Sequence, residues 1–496
     1  MLTKFGFHTF LFSLLPVLFL FQYNIHELQV EDIIIPLLFS LGITTIAFFI
    51  LKFFVGYKKS SLLVSWFLIL FSIHGNLHIF LLTHDDVSLN VFGKNIVLGP
   101  IFLTIFIVGI ISLIKTKSLD DKTSVANVMA LTIVLFLGIN IAAYVVENPV
   151  DLSASGFVDM TLPVSNIEKK PDVYLFLLDE YAGKAQLKED FNYDLSNFEN
   201  ELKQRGLLVP EKSYSNYPTT LISEAALLNM NYFDFLTAEV GPDSKDRRLV
   251  YKIIDQNNVM KLFKKNGYKI TSFYGGEGAK GDPLLVDTKL CNIGLIDYDL
   301  LKNLVNTYVP ISYFNDNILF RNQYEKLECA FTEIPNFEKD NKIPNFYYAH
   351  LLLPHAPYIY NEQGERVTFS GNPNDKNAYL EQLIFTNKKM LELIDSIQSR
   401  SPDSVIIIVS DHGYRPDINW ENPKNIDYIR GFNIIHAFYY PDKEVELPDD
   451  SSNVNVFRIF FNLYFDTDYE ILENRHIWYL IDQPYNFIEI SPEFKK

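Results

Sequence analysis

SVIIIVSDHGYRP, residues 404–416, joins an uncharged β-branched run, Val405 to Val409, directly to Asp411, His412 and Gly413. Such a run, with no polar side, has the signature of a strand buried on both faces, as in a parallel sheet. In open α/β sheets ligands bind beyond the carboxyl ends of the strands, which is where Asp411 and His412 would stand. A carboxylate beside an imidazole is a plausible pair of ligands for a divalent cation. The same tripeptide also reads as a polar turn with Gly413 at the bend.

A second apolar run, Asp172 to Leu178, leads straight into Asp179 and Glu180. Two buried strands far apart in the chain therefore both deliver carboxylates at their ends. Between them the pattern alternates. Residues 191–206, 225–235, 259–267 and 378–400 have helical spacing, and residues 268–274, 346–353 and 432–440 read as strands. Strands separated by helices predict an α/β fold, a mostly parallel sheet sandwiched by helices. Residues 282–343 show few clear periods and read as an inserted excursion.

Toward the amino terminus the composition changes. The chain has 496 residues, 48% of them hydrophobic and only 21% charged. The apolar excess lies before Val146, in five stretches at residues 5–21, 33–55, 62–82, 96–114 and 125–146. Each approaches the roughly 20 residues a helix needs to cross a bilayer. The expectation is an all-α bundle of five transmembrane helices over residues 1–147, a linker over 148–170, and a catalytic domain over 171–496. The first stretch is followed by four more and by no small-residue cleavage site, unlike a signal peptide. Lys52, Lys58, Lys59, Lys115, Lys117 and Lys122 fall in two alternate loops, which should be cytoplasmic. The catalytic domain then lies outside the cytoplasm of a bacterial-type inner (plasma) membrane, on the periplasmic or cell-surface side. His74 and His78 sit four apart within the third span, where a buried polar pair and a functional pair are both open readings.

The chemistry can be assembled from these placements. Asp179, Asp411 and His412 offer oxygen and imidazole ligands that suit manganese, zinc or magnesium. Thr220, in YPTTLISE at residues 217–224, is a nucleophile if a metal lowers the cost of losing its proton. At a helix start it would also meet the positive end of the helix dipole. Thr219 or Thr220 serving only as the helix cap is the plain alternative.

LLDEY at residues 177–181, TLISEAALLN at 220–229, LLPHAPY at 352–358 and VSDHGY at 409–414 together resemble the sulfatase-like branch of the alkaline phosphatase superfamily. A multi-span amino-terminal part before a catalytic domain is similar to the layout of lipoteichoic acid synthases and phosphoethanolamine transferases. The resemblance implies Thr220 as nucleophile and metal ligand, with Asp179, Asp411 and His412 as metal ligands and Glu180 a possible further one. It implies His355 as the group that contacts the transferred moiety or protonates the leaving oxygen. The metal would be manganese, zinc, magnesium or calcium. Sulfatases of this kind carry Cys-x-Pro-Ser-Arg, or Ser first, where this chain has Thr220 to Glu224, so there is no cysteine there to oxidise to formylglycine. A threonine-based transferase or hydrolase of phosphate esters fits better. A sulfuric ester hydrolase with the same site, and an inactive sulfatase-like scaffold for envelope assembly, are the alternatives. The implied partner is a membrane lipid or an envelope glycan.

His355 between two prolines also reads as a surface turn residue. His350 and His436, inside strand patterns, read as satisfied core histidines, and Arg415 and Arg430 as solvated or ion-paired. Cys291 and Cys329, the two cysteines present, can form a disulfide worth on the order of 3–4 kcal/mol or remain free thiols. A net charge of −17 argues against nucleic acid as a partner, because neutralising phosphates needs a basic face.

Overall fold

The β-branched run and the strand predicted before Asp179 are neighbours. In the computed structural model, which describes residues 5–82, 95–116, 118–152, 170–275, 284–291, 317–337, 343–370, 372–448 and 450–490, the chain divides into two compact units. One holds Met1–Pro149 and the other holds Val150–Ile293 and Leu319–Lys496.

Among the described residues the first unit contains five apolar helices: α1 (His8–Tyr23), α2 (Ile34–Val55), α3 (Tyr57–Leu82), α4 (Asn95–Lys115) and α5 (Asp120–Glu147). Among the described residues four helical stretches are long and apolar enough to cross a membrane, at Val30–Val55, Tyr57–His78, Val97–Lys115 and Asp120–Glu147. The first predicted span is the exception, because α1 has only 16 residues. Its amino-terminal end is tied by polar bonds: His8 Nδ1 meets Ser65 Oγ at 2.6 Å and Nε2 meets Ser61 Oγ at 3.0 Å. His74 and His78 stack at 6.1 Å, and His74 also meets Phe102 edge-on.

The second unit is built on a six-stranded sheet with β1 (Val173–Asp179), β2 (Lys269–Gly275), β3 (Thr288–Leu290), β4 (Asn345–Pro354), β5 (Val405–Ser410) and β6 (His436–Tyr439) in the order β3-β2-β4-β1-β5-β6. All neighbours are parallel except β5 with β6. Successive side chains of a strand point to opposite faces, and here both faces are covered. Val173, Leu175, Leu177, Val405, Ile407 and Val409 enter one core, while Phe176, Leu178, Ile406 and Ile408 enter the other. Neither strand can therefore carry a polar side, which is why both read as uninterrupted apolar runs. Helices α6 (Thr220–Asn229) and α8 (Asn453–Phe465) contribute to the first core, and α7 (Lys376–Arg400) to the second.

Some expected boundaries move. Residues 191–206 are not one helix, since Lys184–Phe191 ends at Asn192 in the left-handed conformation and Ser196–Gln204 starts afresh. The helix read at 225–235 begins at Thr220 and stops at Asn229, with Met230 left-handed. Phe432 closes the helix Asn425–Phe432, so the strand expected at 432–440 is reduced to β6. Most of the 282–343 excursion lies outside the described residues, but Cys291 and Cys329 are joined, with Cα atoms 5.5 Å apart.

Candidate active site and metal-ligand group

Register brings the two carboxylates together. β1 and β5 pair from Val173↔Val405 through Leu178↔Ser410, so the next residue on each strand, Asp179 and Asp411, emerges at the same level. On the other side of β1 the pairing slips between Leu178 and Asp179, which sets Asp179 opposite Pro354 at the end of β4. Three strand ends thus converge on one point, in the position where α/β sheets bind ligands.

Asp411 is anchored through one oxygen and left open at the other. Asp411 Oδ1 accepts the backbone N–H groups of Glu180 at 3.0 Å and His412 at 2.8 Å. Asp411 Oδ2 and Asp179 Oδ1 are buried with no hydrogen-bond partner. Burial, with the neighbouring Asp179 charge, pushes the Asp411 carboxyl up to about 8. His412 donates Nδ1–H to the Gly413 carbonyl at 2.8 Å, so its Nε2 keeps a lone pair, directed between Asp411 Oδ2 at 3.2 Å and Asp179 Oδ1 at 3.7 Å. Burial and the Arg415 charge hold that imidazole well below its usual range, hence neutral. The turn is tightly constrained. A Cβ on Gly413 would lie 2.2 Å from the Arg430 carbonyl oxygen and 2.6 Å from Gln186 Oε1, so only glycine fits.

Thr220 is the first residue of α6, and its Oγ1 lies 3.1 Å from His412 Nε2. Neither threonine spends its hydroxyl on capping: Thr219, at the N-cap, makes no side-chain cap bond and pairs with the Tyr479 hydroxyl instead. The helix start is held by Ser223, whose hydroxyl donates to the Asp411 carbonyl at 2.6 Å, and by Asn453, which donates to Ser223 Oγ at 3.1 Å and to the Ser410 carbonyl at 2.9 Å.

His355 follows β4. Gln382 of α7 fixes its loop by donating to the His355 carbonyl at 2.9 Å and accepting from Ile359 N–H at 2.7 Å. Its Nε2 is 3.8 Å from Glu180 Oε2. Burial opposes the charged form, but the Asp179 and Glu180 carboxylates outweigh it and raise the His355 pKa above its ordinary value. Glu180 itself adopts a left-handed φ of 60°, and its Oε1 accepts the Arg415 backbone N–H at 3.1 Å. Its carboxylate is thus aimed at Arg415 and His355, whereas Asp179, Asp411 and His412 point at one another. Arg415 reaches the same region, its buried Nε making no hydrogen bond but lying 3.8 Å from Glu180 Oε1. Arg430 is ion-paired with Asp190 at 2.7 Å, as expected of a structural arginine.

His350 is the residue that sequence reading treated as core. Its Nε2 is buried without a partner, 3.9 Å from Asp179 Oδ2. Asp179, His350 and Asp411 each offer a ligand atom, all within 4.8 Å of one another. The donor set of hard oxygens, imidazole nitrogens and orphaned buried lone pairs fits a divalent cation. His436, in contrast, is a satisfied core histidine, bonded to Ser451 and Asn453.

Comparison with known proteins bears on this arrangement. The family model for sulfatases matches residues 184–442, just over half of the chain. The chain belongs to the sulfatase family. No curated protein matches it. Among solved structures, the C-terminal periplasmic domain of EcEptC from Escherichia coli is similar at 14% identity, covering 67% of this chain and 97% of that one with a TM-score of 0.43. The lipooligosaccharide phosphoethanolamine transferase A of Neisseria meningitidis is 13% identical over 92% of this chain and 94% of its own, with a TM-score of 0.39. The periplasmic domain of phosphoethanolamine transferase EptC from Campylobacter jejuni is 17% identical, over 60% and 91%, with a TM-score of 0.37. Within this sulfatase-family chain the matched segment holds Thr220, Glu224, His350, His355, Asp411 and His412, and Asp179 lies just before it.

Proposed function

We propose that this chain is a membrane-anchored, metal-dependent transferase or hydrolase of phosphate esters, working outside the cytoplasm through Thr220 on a lipid headgroup or an envelope glycan. The observation that carries the reading is the position of Thr220 Oγ1, 3.1 Å from a lone-pair nitrogen of His412 and at the start of a ten-residue helix. A divalent cation there would be held by Asp179, Asp411, His412 and Thr220, with His350 and Glu180 as further candidates, and would supply positive charge that eases loss of a hydroxyl proton and offsets charge on the transferred group.

The remaining work falls to side chains of this chain. Thr220 loses its hydroxyl proton to solvent and attacks phosphorus, so that a bond from Oγ1 forms as the bond to the ester oxygen breaks. His355, kept protonated more readily by Asp179 and Glu180, delivers a proton to that oxygen. The amino-terminal N–H groups of α6 and the Arg415 guanidinium are suited to receive the anionic oxygens of the transferred group. Water or an acceptor alcohol then takes the phosphoryl group from Thr220, which regenerates the hydroxyl.

Phosphate is favoured over sulfate because both cysteines of the chain are spent on the Cys291–Cys329 disulfide, which leaves no thiol to become formylglycine. The test is to incubate the full-length chain, purified in detergent with zinc or manganese, with radiolabelled phospholipid and with soluble phosphate and sulfate esters. Phosphate-dependent labelling that maps to Thr220 supports the reading, and turnover of sulfate esters alone overturns it.

A further inference from the structure

Glu224 has no task in that scheme, and a carboxyl group buried as it is needs one. It is 1% exposed, in a helix whose residues from Ile222 to Asn229 are all buried. An unpaired acid in such surroundings is strongly destabilising. One oxygen, Oε1, accepts a hydrogen bond from the Tyr348 hydroxyl. The other, Oε2, has no hydrogen-bond partner and faces Nδ1 of His350 at 3.9 Å. Across the imidazole, Nε2 is equally unpartnered and faces Asp179 Oδ2 at the same distance. Among the described residues no other group hydrogen-bonds this ring, so it stands between two acids with one nitrogen toward each.

The arrangement is built from two elements that each contribute a pair. Thr220 and Glu224 are four apart on α6 and so share a helix face. Tyr348 and His350 are two apart on β4 and so share a strand face. Thr220 and His350 both address the Asp179–Asp411 group, while Glu224 and Tyr348 lie behind them and address each other. A histidine binds a cation through one nitrogen only when the other carries the proton, and an acceptor placed at that second nitrogen fixes both tautomer and ring orientation.

We propose that Glu224 is a positioning residue that receives the Nδ1 proton of His350 in a hydrogen bond, and thereby presents Nε2 to the same divalent cation as Asp179 and Asp411, with Tyr348 holding Glu224 in place. The inference rests on the metal reading above.

Cobalt(II) titration of the full-length chain in detergent, followed by visible absorption and chelator competition, tests it. Wild type should bind one cobalt with a nitrogen-containing ligand field. Glu224→Ala should weaken cobalt 10- to 100-fold and shift the band toward that of His350→Ala. Glu224→Gln, whose amide oxygen still accepts from Nδ1, should stay within several-fold of wild type and keep the band. In a His350→Ala background, Glu224→Ala should add nothing. If Glu224→Ala fails to fold by circular dichroism, Tyr348→Phe replaces it and should move affinity and band in the same direction. Cobalt binding unchanged in the alanine or phenylalanine variant, or an effect that persists without His350, overturns the proposal. Wild type that binds no cobalt overturns the metal reading, which is a different result.

Discussion

The Thr220 hydroxyl lies 3.1 Å from Nε2 of His412, across 192 positions of sequence. Because Nδ1 of His412 is committed to the Gly413 carbonyl, that Nε2 can only accept, so a hydrogen bond between the two is donated by the threonine hydroxyl. Replacement of Thr220 by Ala should lower turnover of a phosphate ester by about 10⁴-fold or more and abolish covalent labelling. Thr220→Ser should retain labelling. Mass spectrometry of the quenched protein reads both.

His355 should matter in proportion to how poor the leaving group is. For an alkyl phosphate ester, His355→Ala should cost about 10²- to 10⁴-fold, and for a nitrophenyl ester little. Equal losses with both substrates would remove the leaving-group role.

Chelation should reverse with added ion. At 100 times its Kd, a bound cation adds about 2.7 kcal/mol to stability, so melting of the chain in detergent should rise on loading. Asp411→Ala should lose both the bound metal and that rise, as measured by elemental analysis and thermal melting.

Acid should destabilise the second, sheet-containing unit through His436. Buried between Ser451 and Asn453, this imidazole is lowered to about 4 by loss of hydration, against about 6.5 when unfolded. Between those values the unfolded chain binds a proton that the folded one refuses, so its contribution is complete above pH 6.5 and falls away toward pH 4. The loss is about 3 kcal/mol. His436→Gln should flatten the melting profile across this window.

Gly413→Ala should destabilise by about 3 kcal/mol and weaken metal binding together, since the added carbon displaces the turn that holds His412. Retained metal affinity with wild-type melting would contradict the close contacts at Arg430 and Gln186.

Much of the sheet was legible because its central strands are buried on both faces and tolerate no polar residue, which makes runs such as Val405–Val409 conspicuous. Asp179, Thr220, Asp411 and His412 were legible because each ends or begins an element. His350 was not: it lies inside a strand at the level of Leu177, and only the third dimension distinguishes an imidazole facing Asp179 from one satisfied in the core, as His436 is. Glu224 left one overlooked signal, a lone acid in the otherwise apolar LISEAALL. The helix breaks at Asn192 and Met230 depend on left-handed residues for which no glycine stood as a marker.

The pairing of Val173–Leu178 with Val405–Ser410 has a consequence for biosynthesis. A ribosome translating this chain completes the apolar helices described above and releases Asp179, Thr220 and His350 before it reaches Asp411. The apolar helices therefore exist before Asp411 and His412 do, and a chain cut short between Thr220 and Val405 carries the proposed nucleophile without the strand that brings Asp411 beside Asp179.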